Sequence, residues 1–311
     1  MNRALISILL AVGLFGCGME IATPEDIQGF DEGAAGNGEV EVTTQAISNG
    51  TFVTGGKRGV VALGTGTFSR FCTGVLISEK YLLTAAHCTN QRNTGSAYGT
   101  LNATVRYYDP DMDDADHKRY ITGTNETLRV HVIDSWDGLH SATALDYQDD
   151  FAVVWRNNHL NWTGTSSSDY QRMWYGSLST VDINTVYGSG YPEPGDALLR
   201  SMPINIADSA EYWFYDLAAT ARLCSGDSGS PYIDRVLDGA SPTGDSDVVI
   251  GIHSGASQKI AECAVHGAKQ YAARLSGNRV NWINDESRHS RPSHTAPAIN
   301  CNNLNGITKC F

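Results

Sequence analysis

Cys224-Ser225-Gly226-Asp227-Ser228-Gly229-Ser230-Pro231 is the stretch of this 311-residue chain from which the rest can be read. A serine hydroxyl attacks a carbonyl only when a base takes its proton and donors receive the charge that develops on the carbonyl oxygen. A glycine two residues before the serine lets a bare backbone N–H approach the reacting group. Gly226 and Ser228 therefore offer two N–H donors as an oxyanion hole around Ser228 as nucleophile. Gly-Asp-Ser-Gly alone would fit an ordinary turn, but the full run with its cysteine and proline is far more specific.

Upstream stands Leu83-Thr84-Ala85-Ala86-His87-Cys88. This segment, followed at a distance by Gly-Asp-Ser-Gly-Ser-Pro, resembles the chymotrypsin/trypsin family of serine endopeptidases. The resemblance implies that His87 is the general base and that Cys88 bonds back to Cys72, whose segment Cys72-Thr73-Gly74-Val75-Leu76-Ile77 matches the family's partner segment. The third member must be a carboxylate that holds the imidazole in one tautomer and stabilises its charged form. Asp150-Phe151-Ala152-Val153-Val154 resembles the family's aspartate-led apolar strand. Asp149 is the rival acid; because the apolar run begins directly after Asp150, Asp149 is assigned to a solvated turn. The order His87, Asp150, Ser228 agrees with this type. An α/β-hydrolase would run serine, acid, histidine and carry Gly-x-Ser-x-Gly, where this chain has Ser230 in the last place. A subtilisin-like order would put the aspartate first.

Length alone admits one large domain or two small barrels. The 41% hydrophobic content supports a packed core, and 32 glycines among short Val/Ile/Tyr/Trp runs favour β structure. Strand-like runs fall at 59–63, 74–77, 81–86, 104–108, 128–133 and 151–155, then at 179–187, 197–206, 230–233, 248–253 and 270–274. These two clusters suit an all-β fold of two packed antiparallel six-stranded barrels, chymotrypsin-like, better than alternating βα units. The boundary between barrels is placed near 165–178. Val280-Asn281-Trp282-Ile283 resembles the family's closing short helix, so the resemblance runs over 47–283. Residues 284–311 read as a polar tail clipped by Cys301 and Cys310.

Residues 1–16 read as an export signal: Arg3, an apolar run over 4–15 too short to span a bilayer, then Gly16. Leu14-Phe15-Gly16-Cys17 also resembles a bacterial lipobox, in which Cys17 would be acylated; plain secretion is the alternative. Residues 17–46 are acidic and without a sustained period, as a pro-segment or tether would be. Of the net charge of −12, half falls within residues 1–46, and the sign disfavours nucleic acid or an anionic membrane as partner. Of seven cysteines, setting Cys17 aside leaves Cys72 with Cys88, Cys224 with Cys263 and Cys301 with Cys310 as local pairs, although sequence alone does not determine connectivity. No Cys-x-x-Cys pair supports zinc. The acidic cluster over 109–116 lacks the ligand spacing of an EF-hand and reads as loop charge.

Ile47-Ser48-Asn49-Gly50 resembles the family's mature start. The resemblance implies cleavage before Ile47 and burial of the new α-ammonium against Asp227, a pair in which either partner alone would be costly. Ala46 precedes the cut, so the activating protease would not be trypsin-like. The resemblance also places Arg222 at the floor of the primary pocket, which disfavours basic substrate side chains. It sets Ser225, His253, Ser254 and Ala256 around that pocket. His253 and Ser225 match residues of glutamate-specific bacterial relatives, and Arg222 with His253 would bind an acidic side chain by charge-assisted hydrogen bonds. Leu223 and Ala256 replace hydroxyls those relatives often use, so a pocket for small apolar residues stays open.

The expected protein is thus an exported serine endopeptidase, extracellular or in a bacterial envelope, made as a zymogen. It would act on polypeptides through an acyl-enzyme on Ser228, as a monomer, with an activating protease as its partner. No metal or other cofactor is expected, and no membrane contact beyond a lipid on Cys17. The alternative is a catalytically silent protease-fold binding or adhesion protein.

Overall fold

The computed structural model describes residues 47–53, 59–65, 69–89, 99–108, 118–120, 125–133, 135–136, 138, 147–156, 162, 169–174, 176, 182–188, 199–237, 245–257, 259–260, 263–284, 301–304 and 307–310. In chain order the strands are β1 (Thr51–Phe52), β2 (Val60–Thr65), β3 (Ser69–Leu76), β4 (Leu82–Thr84), β5 (Gly99–Tyr108), β6 (Lys118–Tyr120), β7 (Glu126–Val132), β8 (Ala152–Arg156), β9 (Arg172–Trp174) and β10 (Asp182–Gly188). They continue with β11 (Arg200–Met202), β12 (Ile206–Ser209), β13 (Trp213–Leu217), β14 (Pro231–Leu237), β15 (Asp245–Ala256), β16 (Lys259–Ile260), β17 (Cys263–Ala264), β18 (Lys269–Arg274), β19 (Cys301–Leu304) and β20 (Ile307–Cys310). A 3₁₀ turn covers Ala86–Thr89, and helix α1 covers Gly277–Asn284.

Strands β2, β3, β4, β8, β7 and β5 pair in that order, and β2 also pairs β5, so a six-stranded antiparallel ring closes; β6 hangs from β5 outside it. Closure removes sheet edges, and the interior fills with Val, Leu and Ala side chains, among them Val61, Leu63, Leu76, Leu82, Val105 and Val130, which the strand registers place on one face. The run Ala152-Val153-Val154-Trp155 in β8 is apolar throughout because both its faces are buried.

The second sheet runs β1-β11-β10-β14-β15-β18-β13-β12 and curls into a half-barrel. No ladder joins β11 to β12 among the described residues. They are two halves of one bent segment with Pro203-Ile204-Asn205 between them, and Pro203 has no N–H to offer a ladder. Strand β15 is buried on both faces: Val248 and Ile250 pack with Phe214 and Tyr232, while Val249 and Ile252 join the core of the first barrel. The β14–β15 register shifts so that Tyr232 faces Gly251 and Ile233 faces Val249, and Ile250 is left unpaired as a bulge.

Two elements depart from the sequence reading. Strand β13 does not stand out as an apolar run because its inward positions are Phe214 and Asp216, and a buried acid interrupts the pattern. The tail over 284–311 is no separate appendage. Its hairpin β19–β20 pairs through β20 with β9, which itself pairs in parallel with β15. Cys301 and Cys310 are register partners in that hairpin; their side chains, and so the disulfide expected between them, lie outside the described residues.

Candidate active site

His87 sits in the 3₁₀ turn that follows β4, and Asp150 lies two residues before β8. Because Thr84 of β4 faces Ala152 of β8, the two residues emerge at the same end of the barrel. Asp150 is fully buried and accepts hydrogen bonds from the His87 backbone N–H at 2.8 Å, from His87 Nδ1–H at 2.6 Å, and from the Ser254 hydroxyl. Donors fixed by the fold thus replace the water the carboxylate has lost. With its proton held at Nδ1, the neutral imidazole presents Nε2 as its acceptor.

Ser228 arrives from the second sheet. Its carbonyl accepts the Thr73 N–H at 2.7 Å, Thr73 Oγ1 donates to the Gly226 carbonyl at 2.9 Å, and Thr84 Oγ1 donates to the Thr73 carbonyl at 2.7 Å. These bonds tie the serine turn to the first barrel. Gly229, at φ +85°, makes the approach possible: a Cβ there would lie 2.1 Å from the Thr73 carbonyl oxygen and 2.3 Å from Thr84 Oγ1. Cys88 Sγ lies 3.6 Å from the Ser228 carbonyl oxygen and 3.9 Å from His87 Nε2, so imidazole and serine turn flank the same sulfur. Gly226 has φ +95°, a conformation favouring glycine, with open space where a side chain would be. The N–H groups of Gly226 and Ser228 have no hydrogen-bond partner among the described residues.

The His87–Asp150 pair and the Ser228 turn come together around Cys88 from three separate segments, beside two amides without a partner among the described residues, and the family model described as Trypsin matches residues 47–283. The chain belongs to the trypsin family. It is therefore a serine protease in the general sense of that family, and disulfides Cys72–Cys88 and Cys224–Cys263 brace its two site loops. Those bonds fit an exported protein. Cys72, His87 and Cys88 also cluster closely enough to hold a metal, but the disulfide consumes both thiolates. Among the described residues no helix is long and apolar enough to cross a membrane. The export signal, Cys17 and the whole acidic pro-segment lie outside the described residues, as does the acidic cluster over 109–116.

In this trypsin-family chain Ile47 and Asp227 are both fully buried, and the Ile47 N–H donates to Asp227 Oδ2 at 2.9 Å. The Cys224 N–H donates to the same oxygen at 2.7 Å, while Asp227 Oδ1 is buried without a partner among the described residues. Burial pushes the Asp227 carboxyl up to about 7, against the lowering effect of the Cys224 and Ile47 N–H groups.

The expected pocket residues differ in their surroundings. Arg222 is half-buried, bridged by its backbone to Ser48, and its Nε is buried without a partner among the described residues. Ser225 is exposed and Ala256 half-buried. His253 is buried, with Nδ1 3.4 Å from the Tyr232 hydroxyl. Ser254, one residue on, has its hydroxyl on Asp150, so it serves the acid of the site. Behind His253 runs a buried chain that the sequence reading missed. Tyr232 donates to Asp216 Oδ1 at 3.4 Å, Gln270 Nε2 donates to Asp216 Oδ2 at 3.0 Å, and Gln270 Oε1 accepts the Leu223 N–H at 2.8 Å. Burial raises the Asp216 carboxyl to about 7. Asp149 corrects another expectation: it is no solvated turn residue but pairs with the buried Arg279 at 3.3 Å.

Proposed function

We propose that this trypsin-family serine protease is an exported endopeptidase that hydrolyses polypeptides through an acyl-enzyme on Ser228. His87 Nε2 takes the Ser228 proton as Oγ attacks the peptide carbonyl. The N–H groups of Gly226 and Ser228 receive the oxyanion, and His87 returns the proton to the leaving amine. Water then repeats the sequence to free the acid and restore the serine. The observation that carries this reading is the buried Asp150, which holds His87 by Nδ1 beside the serine turn.

The Ile47–Asp227 contact supports a zymogen. A cleaved Ile47 would bring an α-ammonium, with two more N–H donors and a charge, to a buried carboxylate that has one unpartnered oxygen. The Arg222 guanidinium has no acidic partner among the described residues, and this favours an acidic substrate side chain in the pocket over a small apolar one.

The test is to process the chain before Ile47, offer it and Ser228→Ala a mixed peptide library, and sequence the cut sites. Cleavage after Glu or Asp that vanishes in Ser228→Ala supports both the triad and the pocket. Cleavage after small apolar residues keeps the triad and discards the acidic pocket. A folded, processed chain that cuts nothing and resists a serine-directed phosphonate would instead be a binding protein.

A further inference from the structure

Arg279 projects from α1 with 2% of its side chain exposed. Its Nη1 donates to the carbonyls of Tyr212 and Arg274, each at 2.8 Å, and its Nη2 donates to the carbonyl of Gln148 and to Asp149 Oδ1, the latter at 3.3 Å. The guanidinium carbon lies 5.2 Å from the centre of the Tyr212 ring. Burial lowers this guanidinium to about 10, so it stays charged across the neutral range. Three residues on, and so on the same helix face, Trp282 meets Phe151 edge-on at 5.8 Å and His131 at 5.0 Å.

One helix thus holds the chain on both sides of Asp150: Gln148 and Asp149 through Arg279, Phe151 through Trp282. The Phe151 N–H closes the turn onto the Asp149 carbonyl at 2.8 Å. A cation this deeply buried is weak support for stability, since an apolar side chain of similar volume often does as well. A planar fork that reaches four acceptors at once is something an apolar side chain or lysine does not supply.

We propose that Arg279, backed by Trp282, is the positioning residue for the acid of the site. Helix α1 fixes the backbone on either side of Asp150 and so aims its carboxylate at His87 Nδ1. This rests on the triad reading above. Arg279 touches no substrate and acts only through the Gln148-Asp149-Asp150 turn.

The experiment compares Arg279→Gln, Arg279→Lys and Asp149→Ala, each made in the whole chain and processed before Ile47. Two readouts are taken: kcat and KM on one cleaved peptide, and the low-field proton resonance of His87 Nδ1–H, which reports the bond to Asp150 without requiring turnover. Arg279→Gln is expected to lower kcat at least tenfold with KM within twofold, and to shift or broaden the resonance. Arg279→Lys and Asp149→Ala should show smaller losses of the same kind. Should Arg279→Gln not fold, the other two variants carry the test. Wild-type kcat and resonance in every variant that folds would overturn the proposal and leave Arg279 a plain tie between the barrels. An inactive wild type with a normal low-field resonance would sink the endopeptidase reading instead, and the resonance would still decide the role of Arg279.

Discussion

The N–H of Ile47 donates to Asp227 Oδ2 at 2.9 Å across 180 residues of sequence, with both residues fully buried. A carboxyl raised to about 7 by burial binds its proton more tightly folded than unfolded. The sign follows: its contribution favours folding at low pH and is lost as pH rises from the unfolded value near 4 through about 7. For a shift of this size the loss is on the order of 4 kcal/mol. Asp216, also raised to about 7, adds the same sign. The unprocessed chain should therefore melt at lower temperature at pH 8 than at pH 5. The processed chain, with an ammonium on Asp227, should lose less over that interval. Calorimetry on both forms in a Ser228→Ala background checks this, and equal slopes would refute the pairing.

Gly229 and Gly226 should separate packing from chemistry. Gly229→Ala puts a methyl against the Thr73 carbonyl and Thr84 Oγ1, and is expected to cost several kcal/mol and most activity. Gly226→Ala meets open space, so only the positive φ is penalised, by roughly 1–2 kcal/mol. It is nonetheless expected to lower kcat about a hundredfold, because relief of that φ turns the Gly226 N–H, an oxyanion donor, out of place. Urea unfolding alongside kcat would show both variants low in activity, with only Gly229→Ala strongly destabilised.

Asp150 holds the imidazole, and Ser254 holds Asp150. Asp150→Asn should lower kcat by about 10⁴ by favouring the wrong tautomer. Ser254→Ala removes one of the acid's donors and is expected to lower kcat by roughly tenfold, equivalent to about 1.4 kcal/mol. A Ser254→Ala variant with unchanged kcat would place the hydroxyl outside the mechanism.

Removing residues 285–311 takes away β20 and its ladder to β9, including the buried Thr308. The loss is expected to be roughly 1–2 kcal/mol, lowering Tm by about 3–8 °C with kcat little changed. Tm and kcat on the shortened chain measure it.

His87, Asp150 and Ser228 could be proposed from the sequence because each stands in a short run whose chemistry is local: a cysteine beside the histidine, an apolar strand after the acid, glycines around the serine. Helix α1 was legible from Val280 to Ile283, but Arg279 was not singled out, because nothing beside it in sequence announces acceptors at Gln148, Asp149 and Tyr212 in two distant segments, besides the nearby Arg274. Strand β13 was missed because its buried Asp216 is paid for by Gln270 and Tyr232, which lie 54 and 16 residues away. The tail read as an appendage because the strand it pairs with, β9, is only three residues long.

The sequence by itself determined the fold class, the family resemblance and the residue types at the site, because strand patterning and a nucleophile's immediate neighbours are set within a few residues. Only the tertiary structure decided that Ser254 serves Asp150, that Asp149 answers to Arg279, and that Gly229 must be bare to let the serine turn meet Thr73. Those are contacts between chain segments more than a hundred residues apart, and hydrogen-bond geometry at that distance depends on how two barrels pack rather than on any local run.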